Sequence, residues 1–388
     1  MSFLRYGLTE FEVGHDHPLV AEAHKERKHF HPCWCGSGKK YKKCHMLRHQ
    51  YKPVHPRDIN GIIDNYLKKE TQCLKEDCKE KAINSHSIPK RGSLEAVMDG
   101  YHVYHFSPDW FYKAVSEPQK IGWKKASTFN GFCNVHDANI FQSIEQVPFE
   151  GTETQCLLVG YRSASHEFYN KKTVVDAYKE ARMVMDCGLG LEEQISVQLT
   201  AQNFIDQNGR SQDELNHLKT LYEGFLFKGT EEEFNYFYIQ LSGKPSVVSS
   251  GTIHTNLDCE GNILYEIDNQ NDWGEVLAYG TLVDETDTYL IFSWPAKYSS
   301  CQKYIKSFLK NPGNLVPNIY QNLFWRSENT FFSKDWWNSL RDYEKSQVKT
   351  LALSSPQDHL PAPIKNDLRF NVKLESISGI KKTGAANA

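Results

Sequence analysis

The chain of 388 residues lacks any run of 18 or more apolar residues, which excludes a membrane-spanning helix. It also lacks a basic-then-apolar opening: Met1 to Thr9 show no leader pattern, so a cytoplasmic protein is expected. There is no self-similarity of solenoid period. There is no Walker A phosphate loop, because Gly38-Lys39 has Cys33 where the first glycine of that loop belongs. Nor is the chain as a whole charged enough to select polyanions, since its formal net charge is -3. What is present excludes wholesale disorder: hydrophobic residues make up 39% and aromatics 13%. The length suits two to three domains.

The charge and the metal-binding residue types are unevenly placed. Residues 21 to 60 hold ten Lys or Arg against three Asp or Glu, a local balance of +7. Eight of the sixteen histidines fall in the first 60 residues. Of ten cysteines, six lie between Cys33 and Cys133. In a reducing compartment, clustered cysteines beside histidines point to metal before disulfide.

The densest cluster is His31-Pro32-Cys33-Trp34-Cys35-Gly36-Ser37-Gly38-Lys39-Lys40-Tyr41-Lys42-Lys43-Cys44-His45. Its Cys-x-Cys and Cys-His pairs offer four soft or borderline ligands, the set that suits tetrahedral zinc. Gly36-Ser37-Gly38 supplies the permissive backbone for the return between the pairs. So short a stretch cannot bury a useful core. Zinc is expected to supply the folding energy, roughly 10 to 16 kcal/mol for a structural site. Lys39, Lys40, Lys42 and Lys43, with Trp34 and Tyr41 interleaved, are candidates to grip phosphates and stack on bases.

This string resembles the SEC-C motif, the zinc-binding tail of the SecA translocase. The resemblance covers about fifteen residues and implies zinc held by Cys33, Cys35, Cys44 and His45. It also implies a docking role, with nucleic acid, the ribosome or a protein as partner. The rest of the chain does not look like a SecA motor.

A second set is more dispersed. Cys73-Leu74-Lys75-Glu76-Asp77-Cys78 is a Cys-x4-Cys pair, and after a gap of 54 residues Cys133 and His136 form a Cys-x2-His pair. Such halves suit a treble-clef zinc site, so two zinc ions are expected in all. Between them lies Ala82-Ile83-Asn84-Ser85-His86-Ser87-Ile88-Pro89-Lys90, which resembles the Asp-His-Ile-Ile-Pro segment of HNH nucleases. That resemblance implies His86 as general base and Asp137 at the place of the family's final metal-binding histidine, with Mg²⁺ or Mn²⁺ as the catalytic ion. Ser85 stands where the family has an acidic or histidine ligand, and Asn130 and Asn139 are the candidates for its middle Asn. His86 is equally a candidate zinc ligand. The pattern from Phe132 to Glu145 also resembles strings in uncharacterised bacterial proteins that carry SEC-C, and a defence effector is one role such a nuclease could have.

The expected fold class is α+β. Residues 1–50 are read as the zinc knuckle with its basic flank, 51–150 as the HNH-like treble-clef domain, 151–372 as a larger domain, and 373–388 as a disordered tail. Within the larger domain, 151 to about 240 read as helix. Tyr161-Arg162, His166-Glu167 and Lys171-Lys172 read as ordinary helix faces. From Ser246 the pattern predicts an antiparallel sheet of about four strands, at Val247-Val248, Ile253–Thr255, Ile263–Ile267 and Thr288–Phe292. The aromatic group Phe331, Phe332, Trp336 and Trp337 reads as core.

Overall fold

The computed structural model describes residues 17–106, 117–265, 273–353 and 368–384. In chain order, the N-terminal elements are α1 (Pro18–Ala23), α2 (Pro56–Leu67), β1 (Asn84–His86), β2 (His102–His105), β3 (Gln119–Gly122) and β4 (Thr128–Asn130). The helices α3 (Asn134–Ile140), α4 (Gln142–Glu145), α5 (Glu153–Ala181) and α6 (Leu191–Glu223) follow. Four long strands come next: β5 (Phe234–Ser242), β6 (Val247–His254), β7 (Val276–Asp284) and β8 (Asp287–Pro295). The chain closes with α7 (Ser299–Leu309), α8 (Leu315–Arg326), β9 (Thr330–Phe332), α9 (Lys334–Ser339), α10 (Asp342–Leu353), β10 (Lys373–Ile377) and β11 (Lys381–Lys382). The class is α+β with antiparallel sheets. No helix among the described residues is long and apolar enough to cross a membrane.

Two compact units divide these elements. The smaller comprises residues 17–69 and 170–212, and the larger the remaining described residues. In the smaller unit α2 starts behind a well-formed cap. His55 Nδ1 accepts from Arg57 N at 3.1 Å, Asp58 Oδ2 accepts from His55 N at 3.1 Å, and Pro56 opens the helix. Ile59 then packs against Val175, Tyr178 and Ala181 of α5 and against Val197, Ala201 and Ile205 of α6. Full burial of a side chain the size of Ile59 contributes about 1.5–3 kcal/mol.

The larger unit is built on one sheet in the order β10-β5-β8-β7-β6-β9-β2-β3, with β11 also on β5. Every pairing is antiparallel. Both faces are buried. Phe237, Ile239, Leu290, Phe292 and Trp294 point into a core shared with α7 and α8, while their neighbours Tyr236, Tyr289 and Ile291 point into a core shared with α5 and α6. The contact between α5 and the sheet is close at Gly160. A Cβ there would lie 2.3 Å from Ser293 Oγ and 2.4 Å from Tyr222 Oη, so only glycine fits.

Several sequence expectations are corrected here. Residues 234–240 form strand β5, not helix, and Val276–Asp284 is a strand the pattern did not reveal. Strand β7 is buried on both faces from Val276 to Leu282, so the alternation that marks a half-buried strand is missing there. Ile263 makes an isolated bridge to Leu257, while residues 266–272 lie outside the described residues. Tyr161, Arg162 and His166, read as ordinary helix faces, are buried: Tyr161 packs on Phe132 and Phe141, Arg162 lies over the Phe141 ring and pairs with Glu145, and His166 meets Phe129 edge-on. Residues 373–384 are not disordered: β10 and β11 pair with β5, while residues 385–388 lie outside the described residues, as do Met1 to Thr9. Their polar composition suits a sheet edge. The aromatic group Phe331, Phe332, Trp336 and Trp337 is buried core, as its composition predicts.

Candidate metal centres

The first centre is assembled by a short hairpin in the smaller unit. Cys33 N donates to Lys39 O at 2.8 Å, Tyr41 N to His31 O at 2.8 Å, and Lys42 N to His29 O at 3.0 Å. Gly36 and Gly38 turn the chain with φ of 74° and 72°, the left-handed region that side chains resist. This turn brings the two pairs of the sequence motif together. One donor atom from each of Cys33, Cys35, Cys44 and His45 lies within 4.8 Å of the others, and all four side chains are buried. Cys35 Sγ is 3.6 Å from Cys44 Sγ, and His45 Nδ1 is 3.1 Å from Cys33 Sγ and 3.2 Å from Cys44 Sγ. Tetrahedral zinc with bonds of about 2.0–2.3 Å needs donors about 3.5–3.8 Å apart; the two sulfurs already stand at that spacing, and His45 has only to draw back by a few tenths of an ångström.

The electrostatics suit a cation. The neighbouring thiols of Cys33 and Cys44 hold the Cys35 thiol far below its usual range, and the same crowding holds Cys33 far above. Burial works against charge on His45. Even so, Asp186, Cys35 and Cys44 outweigh it and raise the imidazole to about 10. The same negative surroundings favour a metal cation, which must displace that proton to bind.

Residues that no local pattern announces hold the centre in place. His45 Nε2 lies 2.7 Å from Asp186 Oδ2, Arg48 Nη1 donates to Asp186 Oδ1 at 2.6 Å, and Gln198 Nε2 donates to Asp186 Oδ2 at 2.8 Å. Arg182 Nη2 donates to the Cys35 carbonyl at 2.6 Å. Cys33, Trp34, Cys35 and Cys44 pack with Ile195 and Leu199 of α6. Asp186 is 141 residues from His45, beyond the reach of motif reading.

The second centre lies in the larger unit and joins the two distant pairs. Leu74 N donates to Gly131 O at 2.7 Å and Ile83 N to Phe132 O at 2.7 Å, stitching the halves together. Asp77 takes φ of 64°, a conformation short polar side chains tolerate, and turns the chain between Cys73 and Cys78. Cys133 precedes α3 and His136 sits in its first turn. Cys73, Cys78, Cys133 and His136 bring their donor atoms within 4.8 Å of one another. Cys78 Sγ is 4.0 Å from Cys133 Sγ, and His136 Nδ1 is 3.4 Å from both Cys73 and Cys133 Sγ, spacings that match a zinc tetrahedron. Burial pushes the Cys73 thiol up to about 11. Burial acts the same way on Cys133, but the backbone N–H groups of His136 and Val135 and the thiols of Cys73 and Cys78 overcome it and hold Cys133 below its usual value. None of the ten cysteines is in a disulfide.

His86 does not join this group of four. It lies on β1, half-buried, with a buried Nε2 that has no hydrogen-bond partner. Burial, helped by the charges of Arg162 and Lys90 and opposed by Glu145, lowers it to about 4. Asp137, on α3, likewise has a buried Oδ1 without a partner. Burial raises its carboxyl, against Arg162 and a hydrogen bond from Ser85. Among the described residues, no third group of three or more His, Cys, Asp or Glu side chains is arranged to take a metal such as Mg²⁺ or Mn²⁺.

The four lysines of the first motif are all exposed. Trp34, expected to stack on a base, is instead 6% exposed and leans on the His45 ring, with centroids 4.4 Å apart. The freely exposed aromatic of this hairpin is Phe30, at 57%, with His31 edge-on to it at 4.9 Å.

Comparison with known families places the SEC-C motif at residues 32–47. The match coincides with the first centre and includes all four of its candidate ligands. No curated protein and no solved structure matches the chain.

Proposed function

We propose that this protein is a two-zinc scaffold that binds nucleic acid through the outer face of its SEC-C hairpin. Cys33, Cys35, Cys44 and His45 are its first ligand set, and Cys73, Cys78, Cys133 and His136 its second, the latter read as a treble clef formed by the Cys73–Cys78 turn, the antiparallel pair of β1 and β4, and α3. The observation that carries the reading is a division of faces. The ligand side of the hairpin is buried against α6, while Lys39, Lys40, Lys42 and Lys43 face solvent. No Asp or Glu occurs from Arg27 to Arg57, so no neighbour in sequence offsets that charge. Phosphates are the complementary ligand, and counterion release makes their binding strongly salt-dependent. A ribosome offers the same chemistry through its RNA. An acidic protein surface is the competing occupant.

The test is fluorescence anisotropy with labelled single-stranded RNA and duplex DNA, in 50 and 200 mM salt. Replacing all four lysines by alanine is expected to weaken binding at least about tenfold and to flatten the slope of log K against log salt by about three. A wild-type chain that binds neither polymer, or a quadruple variant with unchanged affinity and slope, overturns the proposal.

A second reading, supported by the unpartnered His86 Nε2 and Asp137 Oδ1 in one buried polar region, is an HNH-type nuclease. A general base must be unprotonated at working pH, and burial keeps His86 so. Against it stand Ser85 and Asp137 at two metal-ligand places of that family. In a plasmid-nicking assay with Mg²⁺ or Mn²⁺, His86→Ala is expected to cut about 10²–10⁴-fold more slowly than wild type. A wild type inert with every metal, or a variant that cuts equally fast, removes this reading.

A further inference from the structure

The side chain of Asp186 is fully buried, 0% exposed, and it belongs to neither ligand set. A carboxylate taken out of water is costly unless donors saturate it. Here three donors converge on its two oxygens: His45 Nε2 at 2.7 Å, Arg48 Nη1 at 2.6 Å and Gln198 Nε2 at 2.8 Å. We propose that Asp186 is the positioning residue of the first metal centre, and that through it metal occupancy and order in the connection between α5 and α6 become one event. The inference rests on the zinc reading of that centre.

A neutral imidazole ring carries one N–H, and a hydrogen bond fixes which nitrogen bears it. With Nε2–H donating to Asp186, the lone pair is left on Nδ1, which faces the sulfurs of Cys33 and Cys44. The carboxylate thus fixes both the tautomer and the ring direction, and it makes Nδ1 a stronger donor to a metal. Arg48 balances the Asp186 charge, so the carboxylate can stay ionised in a buried site.

The connection in turn depends on the centre. Residues 182–190, between α5 and α6, are turn and coil, without a continuous helical ladder. They are tied to the knuckle at three places: Arg182 to the carbonyl of a ligand, Asp186 to the ring of a ligand, and Gly188 N to the Arg48 carbonyl at 3.0 Å. Remove the metal and three crowded thiols no longer hold the ring in place. The carboxylate then loses a fixed donor, and the turn loses its anchor. The knuckle is therefore a zinc-dependent clasp on the helical pair.

The experiment uses the full chain with two zinc bound. Zinc is transferred stepwise to a chromophoric chelator, and amide hydrogen exchange is followed by mass spectrometry. Asp186→Ala is expected to weaken one of the two zinc sites about 10–100-fold and to leave the other unchanged. Asp186→Asn, which keeps an acceptor for the ring but loses the charge, is expected to fall between. Exchange across residues 182–190 is expected to accelerate when wild type is stripped of zinc, and to be fast already in Asp186→Ala. Unchanged affinities in a folded Asp186→Ala protein, or exchange in 182–190 indifferent to zinc, overturn the inference. If the alanine variant does not fold, the asparagine variant decides, and an affinity equal to wild type counts against the proposal. A wild-type chain with no zinc at the first centre defeats the underlying zinc reading instead, so the two failures are distinct.

Discussion

Cys35→Ser is expected to lower bound zinc from two equivalents to one and to leave residues 31–45 without amide protection from exchange. The magnitude follows from how little else orders this segment. Fixing the backbone of a residue costs about 1–2 kcal/mol, so its fifteen residues cost about 15–30 kcal/mol. Against that stand a few hairpin hydrogen bonds at about 1 kcal/mol each and a small apolar cluster in which Trp34 and Tyr41 are the large members. Burying those two side chains contributes about 1.5–3 kcal/mol apiece. A four-ligand zinc site supplies roughly 10–16 kcal/mol, which makes metal the deciding contribution. Cys35 is the ligand to change because it is almost wholly buried, and its carbonyl also receives Arg182. Elemental analysis and hydrogen exchange read the outcome. Two equivalents of zinc together with intact protection in the variant refute the account.

Cys133→Ser is expected to remove the other zinc and to destabilise the larger unit as a whole. The difference from Cys35→Ser lies in the surroundings. Cys73 and Cys133 belong to the same core as Phe129, Phe132, Phe141 and Tyr161, so losing the metal loosens the packing between the 71–83 segment and α3. That packing survives in part, and the expected cost is nearer about 5 kcal/mol than the full binding energy of the metal. For a unit of this size each kcal/mol shifts the melting temperature by about 2–4 °C, which gives a fall of about 10–20 °C. Cys156→Ser is the control: it also alters a buried core cysteine but lies outside both centres. Calorimetry with zinc analysis separates the cases. Equal melting temperatures for Cys133→Ser and wild type, or zinc loss as large in the control, contradict the assignment of the second centre.

The parts of the molecule that were legible in the residues are those governed by short-range rules. The four donors of the first centre fall within thirteen residues, from Cys33 to His45, and two glycines close the loop between them. The second set was legible through residue type, although a gap of 54 residues separates its halves, because thiols and imidazoles in pairs have few other uses in a reducing environment. Strand β7 was not, because burial on both faces erases the alternation by which a strand is recognised. Trp34 was read as a stacking platform for the same kind of reason: sequence neighbours do not say which side of a hairpin is covered. Arg162 and His166 read as ordinary helix faces, whereas Phe141 and Glu145 cover the one and Phe129 the other.

By itself, then, the chain determines which atoms can take a metal, because coordination follows from donor chemistry and from loops short enough to close at small entropic cost. The tertiary structure alone decides what grips those donors and what they face. Asp186 reaches His45 across 141 residues, and the lysines look outward while Trp34 looks inward, because long-range packing selects neighbours that no local rule encodes.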